Sequence, residues 1–149
     1  MNLLEVLDER IIDLNLEASD KHEAITKLSE KLKDAGYIDN VEEFVKDIYV
    51  REAEGMTGIG NYIAIPHGKS DSVTNIGIAI GRLNKEIEWE TLDGKGVKMI
   101  FLFCVANDNE FAMNHMRLLA QIAGKLGNDE LVEKLKTVKT VKELKELFA

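Results

Sequence analysis

The segment Val97 to Val105, VKMIFLFCV, is the most apolar run in the chain and constrains the fold more than any other stretch. It follows Asp93-Gly94, a tight-turn signal, and predicts the central strand of a sheet. Shorter strands surround it in the sequence. Ile12 to Leu16 alternates strictly and predicts a strand with one wet face. Ile63-Ala64-Ile65 predicts a buried strand end, Ile76 to Ile80 a further apolar strand, and Ile87-Glu88-Trp89 a short edge strand. Helices are marked at their starts. Asp20 with Glu23, Asn40 with Glu43 and Thr140 with Glu143 have capping-box spacing, and Asn128 is placed to cap a short helix carrying Leu131 and Leu135.

The first of these helices puts Ala24, Ile25, Leu28, Leu32 and Ala35 on one face and stops at Gly36. The second turns Val41, Phe44, Val45 and Ile48 inward and closes at Gly55, which leaves Arg51 in its last turn. Phe111 to Leu126 repeats at helical spacing and predicts Met116, Leu119, Ile122, Ala123 and Leu126 toward the core, with Gly127 as the stop. Leu3 to Leu7 forms a turn of helix, and the terminal helix carries Leu144 and Leu147. The order of elements predicts an α/β protein, a three-layer α/β/α sandwich with a mixed sheet of about four to five strands.

The 149 residues predict one domain, over residues 3–148, able to bury about 70% of its unfolded surface. A net charge of −8 argues against nucleic acid or an anionic membrane as a partner, because phosphate groups would repel the chain. It favours a partner that is locally basic. No run reaches membrane-spanning length, no signal-peptide pattern opens the chain, and a single cysteine excludes an internal disulfide, so the expected setting is the cytoplasm.

One stretch carries chemistry. From Met56 to Gly68 a glycine-rich turn feeds the apolar Ile63-Ala64-Ile65, which ends in Pro66 and His67. Proline cannot donate to a sheet ladder, so the strand is expected to stop there or lie at an edge. His67 then sits just past a strand end, with a polar loop beyond it. An imidazole in that position is both held and exposed, and it can be a neutral nucleophile near physiological pH. On the local pattern alone, a histidine at a strand end is more often just a polar residue in a turn.

Familiar alternatives fail on spacing. Gly68-Lys69-Ser70 looks like the end of a phosphate-binding P-loop, but the first glycine of that pattern would fall on Ile63. The third glycine of a dinucleotide fingerprint begun at Gly58 falls on Ile63 as well. No zinc-protease motif or cysteine pair is present, so no metal and no bound cofactor are expected. Cys104 lies within the most apolar strand, where a thiol is inert packing. His22 stands among polar residues of an early helical turn and is expected at the surface.

The run Thr57-Gly-Ile-Gly-x-x-Ile-Ala-Ile-Pro-His67 resembles the phosphohistidine motif of the enzyme IIA domains of the bacterial phosphoenolpyruvate–sugar phosphotransferase system, fructose/mannitol type. Arg51-Glu52 upstream, Asp93-Gly94-Lys95, and His115-Met116-Arg117-Leu118-Leu119-Ala120 downstream extend the likeness along nearly the whole chain. The chain departs from the pattern in having no proline between Val105 and Phe111 and in Met116, where leucine is common.

The resemblance implies a cytoplasmic phosphotransferase with the family's sandwich architecture. In that reading His67 takes a phosphoryl group on Nε2 from the phosphocarrier protein HPr, with its other nitrogen fixed by a backbone hydrogen bond. It passes the group to a cysteine of enzyme IIB for uptake of a sugar of the fructose family. His115 would lie beside His67 and stabilise the group in transfer. Its bland alternative is a core-edge histidine. Arg51 would meet the phosphate or order the Thr57 loop, and Thr57 would bond that group or cap a turn. Ile59, Phe111 and Met113 are candidates for docking HPr and IIB. Two other readings stay open: a nitrogen-related regulatory IIA paralogue with different partners, and a non-catalytic binding module, against which His67, Arg51 and His115 all speak.

Overall fold

The structure, a computed structural model, describes residues 3–149, and their side chains except those of residues 109–112. In chain order the elements are α1 (Leu3–Val6), β1 (Ile12–Leu16), α2 (Lys21–Asp34), α3 (Val41–Glu52), β2 (Gly58–Gly60), β3 (Ile63–Ala64) and β4 (His67–Ser70). They continue through β5 (Gly77–Ile87), β6 (Val97–Ala106), α4 (Asn109–Leu126), α5 (Asp129–Leu135) and α6 (Val141–Leu147). A single 3-10 turn, Glu9–Ile11, leads into β1.

The strands form one mixed sheet of six, in the order β1-β5-β6-β3-β2, with β4 also paired to β6. β6 is central, as its composition predicts. It is antiparallel to β5, and parallel to β3 at Met99 and Ile100 and to β4 from Phe103 to Ala106. β3 and β4 are therefore two halves of one line along β6, broken at Ile65-Pro66. The sheet exceeds the expected four to five strands by short pieces of this kind.

Side chains alternate along β6 and divide the core in two. Met99, Phe101 and Phe103 pack with Leu118 and Ile122 of α4, Leu135 of α5 and Leu144 of α6. Ile100, Leu102 and Cys104 pack on the opposite face with Leu28 and Leu32 of α2 and Phe44 and Ile48 of α3. This is the three-layer sandwich.

The helix ends follow their chemistry. The side chains of Asp20, Asn40, Asn128 and Thr140 each accept the backbone N–H three residues on. Gly36 ends α2 in the left-handed region at φ 83°.

Three expectations are corrected. The residues after His67 are not a loop: His67–Ser70 is strand β4. Pro66 lacks an N–H, but its carbonyl accepts the Phe103 N–H at 2.9 Å, so the chain stays on β6 across the break. Ile87 is not the start of a separate edge strand; it ends the long β5, where Leu83 and Ile87 continue the face that Ala79 turns to the α2–α3 layer and the pairing with β6 shifts register after Arg82. The inward face of α4 is also rotated. Leu118, Ile122 and Leu126 are buried, whereas Met116 and Ala123 are exposed. The proline-free segment after Val105 completes β6, and only Asn107 and Asp108 separate it from α4.

Gly68 fixes how closely α3 approaches β4, because a Cβ there would overlap the Phe44 ring. Gly68→Ala is expected to destabilise the fold by about 1–3 kcal/mol, as overpacking does. A melting curve checks it. An unchanged midpoint would mean that the ring yields freely.

Candidate functional site

A cleft of about 310 Å³ opens beside β4. Its walls are Asp47, Val50 and Arg51 of α3 with Glu54 just beyond, His67 and Lys69 of β4, Val105 of β6 and His115 of α4. The strand pleat sorts the residues of β4. Gly68 and Ser70 are buried, while His67 and Lys69, two apart on the other face, reach the cleft.

His67 is held by rings. It stacks on Phe103 with centroids 5.3 Å apart and planes at 16°. His115 meets His67 edge-on, at 5.4 Å and 87°, and meets Phe103 similarly at 5.5 Å and 81°. The Nδ1 atoms of His67 and His115 are both buried without a hydrogen-bond partner. In each ring Nε2 is thus the nitrogen left to face the cleft. The backbone hydrogen bond expected for the inner nitrogen of His67 is not formed in standard geometry; the nearby Ile65 carbonyl only favours a ring proton electrostatically.

Both imidazoles are neutral at pH 7. Burial, then His115, then the Arg51 charge push the pKa of His67 down to about 4, with Ile65 opposing. Burial and then the Lys69 charge lower that of His115. A ring-proton NMR titration of the folded protein is expected to place the His67 midpoint near 4, against an ordinary 6.5. Because the folded value is the lower one, the neutral ring contributes stability in full above the unfolded value, and that contribution is lost as pH falls from about 6.5 toward about 4. A midpoint near the ordinary value would show the ring to be solvated.

Arg51 lines the cleft and also donates from Nη1 to the Gly55 carbonyl at 3.2 Å, which ties down the turn after α3. Thr57 lies elsewhere. It is buried, its hydroxyl donates to Glu52 Oε2 at 2.6 Å, and it accepts from Trp89 Nε1 at 3.3 Å. Glu52 in turn pairs with Lys21 at 2.6 Å. The structure therefore brings His67, His115 and Arg51 together and sets Thr57 in the tether of the neighbouring loop.

Lys69 is the cleft residue that sequence reasoning missed. Its signal was the period of two from His67, hidden because residues 67–70 were read as a loop. Ile59, Met113 and Met116 are exposed; the side chain of Phe111 lies outside the described residues. Cys104 is fully buried, and burial pushes its thiol up to about 12. His22 is exposed on α2, with Nδ1 3.2 Å from the Tyr49 hydroxyl. Among the described residues no cluster of three or more His, Cys, Asp or Glu side chains could hold a metal, and no helix is long and apolar enough to cross a membrane.

Fold and cleft together define an α/β/α domain built around an accessible, neutral imidazole with cations at hand for an anionic group. The chain belongs to the family described as phosphoenolpyruvate-dependent sugar phosphotransferase system, EIIA 2, whose model matches residues 5–149. Members of that family are phosphotransferase components. Over 138 residues the chain is 32% identical to the 2-O-alpha-mannosyl-D-glycerate-specific EIIABC component of Escherichia coli, covering 92% of this chain and 21% of that protein. It therefore spans about a fifth of that relative's length. The mannitol-specific enzyme IIA component of Bacillus subtilis is 31% identical, over 89% of this chain and 88% of its own. Among solved structures, nitrogen regulatory protein IIA-Ntr from Neisseria meningitidis superposes with a TM-score of 0.88 at 26% identity, over 98% of both chains. IIA mannitol from Escherichia coli gives 0.79 at 25% identity, over 95% of this chain and 98% of that one.

Proposed function

We propose that this protein is a phosphocarrier that accepts a phosphoryl group on His67 from phosphorylated HPr and passes it to a cysteine of an enzyme IIB in the cytoplasm. The observation that carries the reading is the neutral His67 ring, clamped by Phe103 and His115, with Nδ1 sealed and the cleft beyond. Sealing Nδ1 leaves Nε2 as the nucleophile, and the Ile65 carbonyl favours the proton on the inner nitrogen. In the first step the Nε2 lone pair forms a bond to phosphorus as the donor's N–P bond breaks, and the donor histidine recovers its pair. In the second, a thiolate of IIB attacks the same phosphorus and His67 leaves as a neutral ring. Arg51 and Lys69 meet the negative charge, and His115 donates from Nε2–H. The carboxylates of Asp47 and Glu54 on the same cleft oppose the dianion, which keeps the carrier from holding its cargo too tightly.

Relatives named as EIIABC components support an IIB partner, and the fructose- and mannitol-specific names among them support a sugar of that group. Ile59, Met113 and Met116 offer exposed apolar contacts for docking both partners. Incubation with phosphoenolpyruvate, enzyme I and HPr is expected to give one acid-labile, base-stable phosphate per chain, drained on adding the cognate IIB. Absence of labelling from HPr and from its paralogues would overturn the proposal. The match to IIA-Ntr favours a second reading, a regulatory carrier. That reading gains if a nitrogen-related HPr paralogue loads His67 faster than HPr and no IIB drains it.

A further inference from the structure

A second cleft, of about 270 Å³, lies toward the start of β6, away from His67. Its polar lining comprises Asn61, Tyr62, Arg82, Asn84, Lys98 and Lys136, over an apolar floor that includes Met99 and Leu135. No carboxylate lines it, although the chain as a whole carries a net charge of −8. Among the described residues neither Arg82 nor Lys98 forms an ion pair, and Lys136 pairs only with Glu133, at 3.0 Å on the exposed surface. Of the three cations on the cleft only Lys136 has a counter-charge, so the cluster leaves room for an anion to complete the set.

The Tyr62 ring is the centre of the arrangement. Lys98 Nζ stands 5.1 Å from its centroid, Lys136 Nζ 5.5 Å and Lys95 Nζ 5.8 Å. Tyr62 and Asn61 form the turn between β2 and β3, with φ of 66° and 55°. Hairpin turns of this hand favour asparagine at the first position and glycine at the second. Tyrosine at the second is strained in this left-handed conformation, so the ring stands here against the local backbone preference. Arg82 is fixed by donating to the carbonyls of Leu14 at 3.2 Å and Leu135 at 3.0 Å. A guanidinium so anchored is pre-organised for an oxyanion.

We propose that this cleft binds a small organic phosphate: an anionic head met by Arg82, Lys98 and Lys136, and a compact apolar or planar body laid against Tyr62 and the floor. The volume of about 270 Å³ falls just below the usual range for ligand sites, which limits the body to about the size of a single ring. Phenyl phosphate is a fitting probe, with inorganic phosphate and phenol as its halves. In amide NMR titrations of the full chain, phenyl phosphate is expected to shift Asn61, Tyr62, Lys98 and Met99 saturably, and more tightly than either half. The Lys98→Gln/Lys136→Gln double variant alters two exposed side chains; it is expected to melt as the wild type does and to bind at least tenfold more weakly. Because a phosphate could also enter the His67 cleft, the titration is repeated in His67→Ala, where the Tyr62 shifts should persist unchanged. Shifts confined to the His67 cleft, equal affinity in the double variant, or no saturation by phenyl phosphate would overturn the site.

Discussion

His67→Ala is expected to fold normally and to accept no phosphoryl group. Removing the nucleophile from a transfer site costs roughly four orders of magnitude or more in rate. The Cys104 thiol is sealed on the far face of β6, and burial pushes it up to about 12. His115 is the other imidazole on the cleft, and labelling of the variant tests whether it can stand in. The fold should survive because the imidazole is half-buried and its Nδ1 makes no hydrogen bond. Its loss removes a stack on Phe103 and, at mildly acid pH, also removes the cost of keeping a ring neutral. Labelling with phosphorylated HPr, followed by acid and base treatment and a melting curve, checks both halves. Retained acid-labile phosphate in the variant would move the acceptor to His115, and a phosphate with thioester-like lability would move it to Cys104.

The layers of the fold were legible because they rest on local chemistry. Capping residues such as Asp20 and Thr140 announce their helices whatever surrounds them, and the apolar run at the centre of the sheet can only be buried on both faces. The motifs singled out His67, Arg51 and His115, and the structure brings the three to one cleft. The cleft itself was not legible. Its walls come from α3, β4, β6 and α4, and β4 was hidden by Pro66, which in isolation signals the end of a strand. What keeps the strand going is the Pro66 carbonyl bonding Phe103, a contact across distant sequence. Lys69 was lost with it. Met116 failed for a different reason. A helix of period 3.6 offers adjacent apolar stripes, and Leu118 on one of them won the core because of where α4 rests on the sheet, which no local pattern records.

His115→Asn separates donation from packing. The ring touches both His67 and Phe103, so a purely structural role predicts a lower melting temperature with transfer rates little changed. A role in transfer predicts the reverse. Loss of one positioned donor costs on the order of 3 kcal/mol of transition-state stabilisation, roughly a hundredfold in rate. Asparagine keeps an N–H donor but not its reach, so the acceptor should still load, more slowly, on a fold that persists. The onward step should suffer at least as much, since His67 is then the leaving group and the phosphoryl charge must be held while the N–P bond opens. Lys69→Gln supplies the comparison. Its side chain is exposed and makes no wall of the core, so its removal should leave the melting curve alone while slowing transfer through lost charge. That loss should shrink as salt screens the cleft, whereas the loss in His115→Asn should not, because a hydrogen bond at contact distance is little screened. Rapid-quench measurement of loading and release at low and high ionic strength reads all of these. Wild-type rates in both directions for His115→Asn would return His115 to the core and leave Arg51 and Lys69 to meet the phosphoryl group alone.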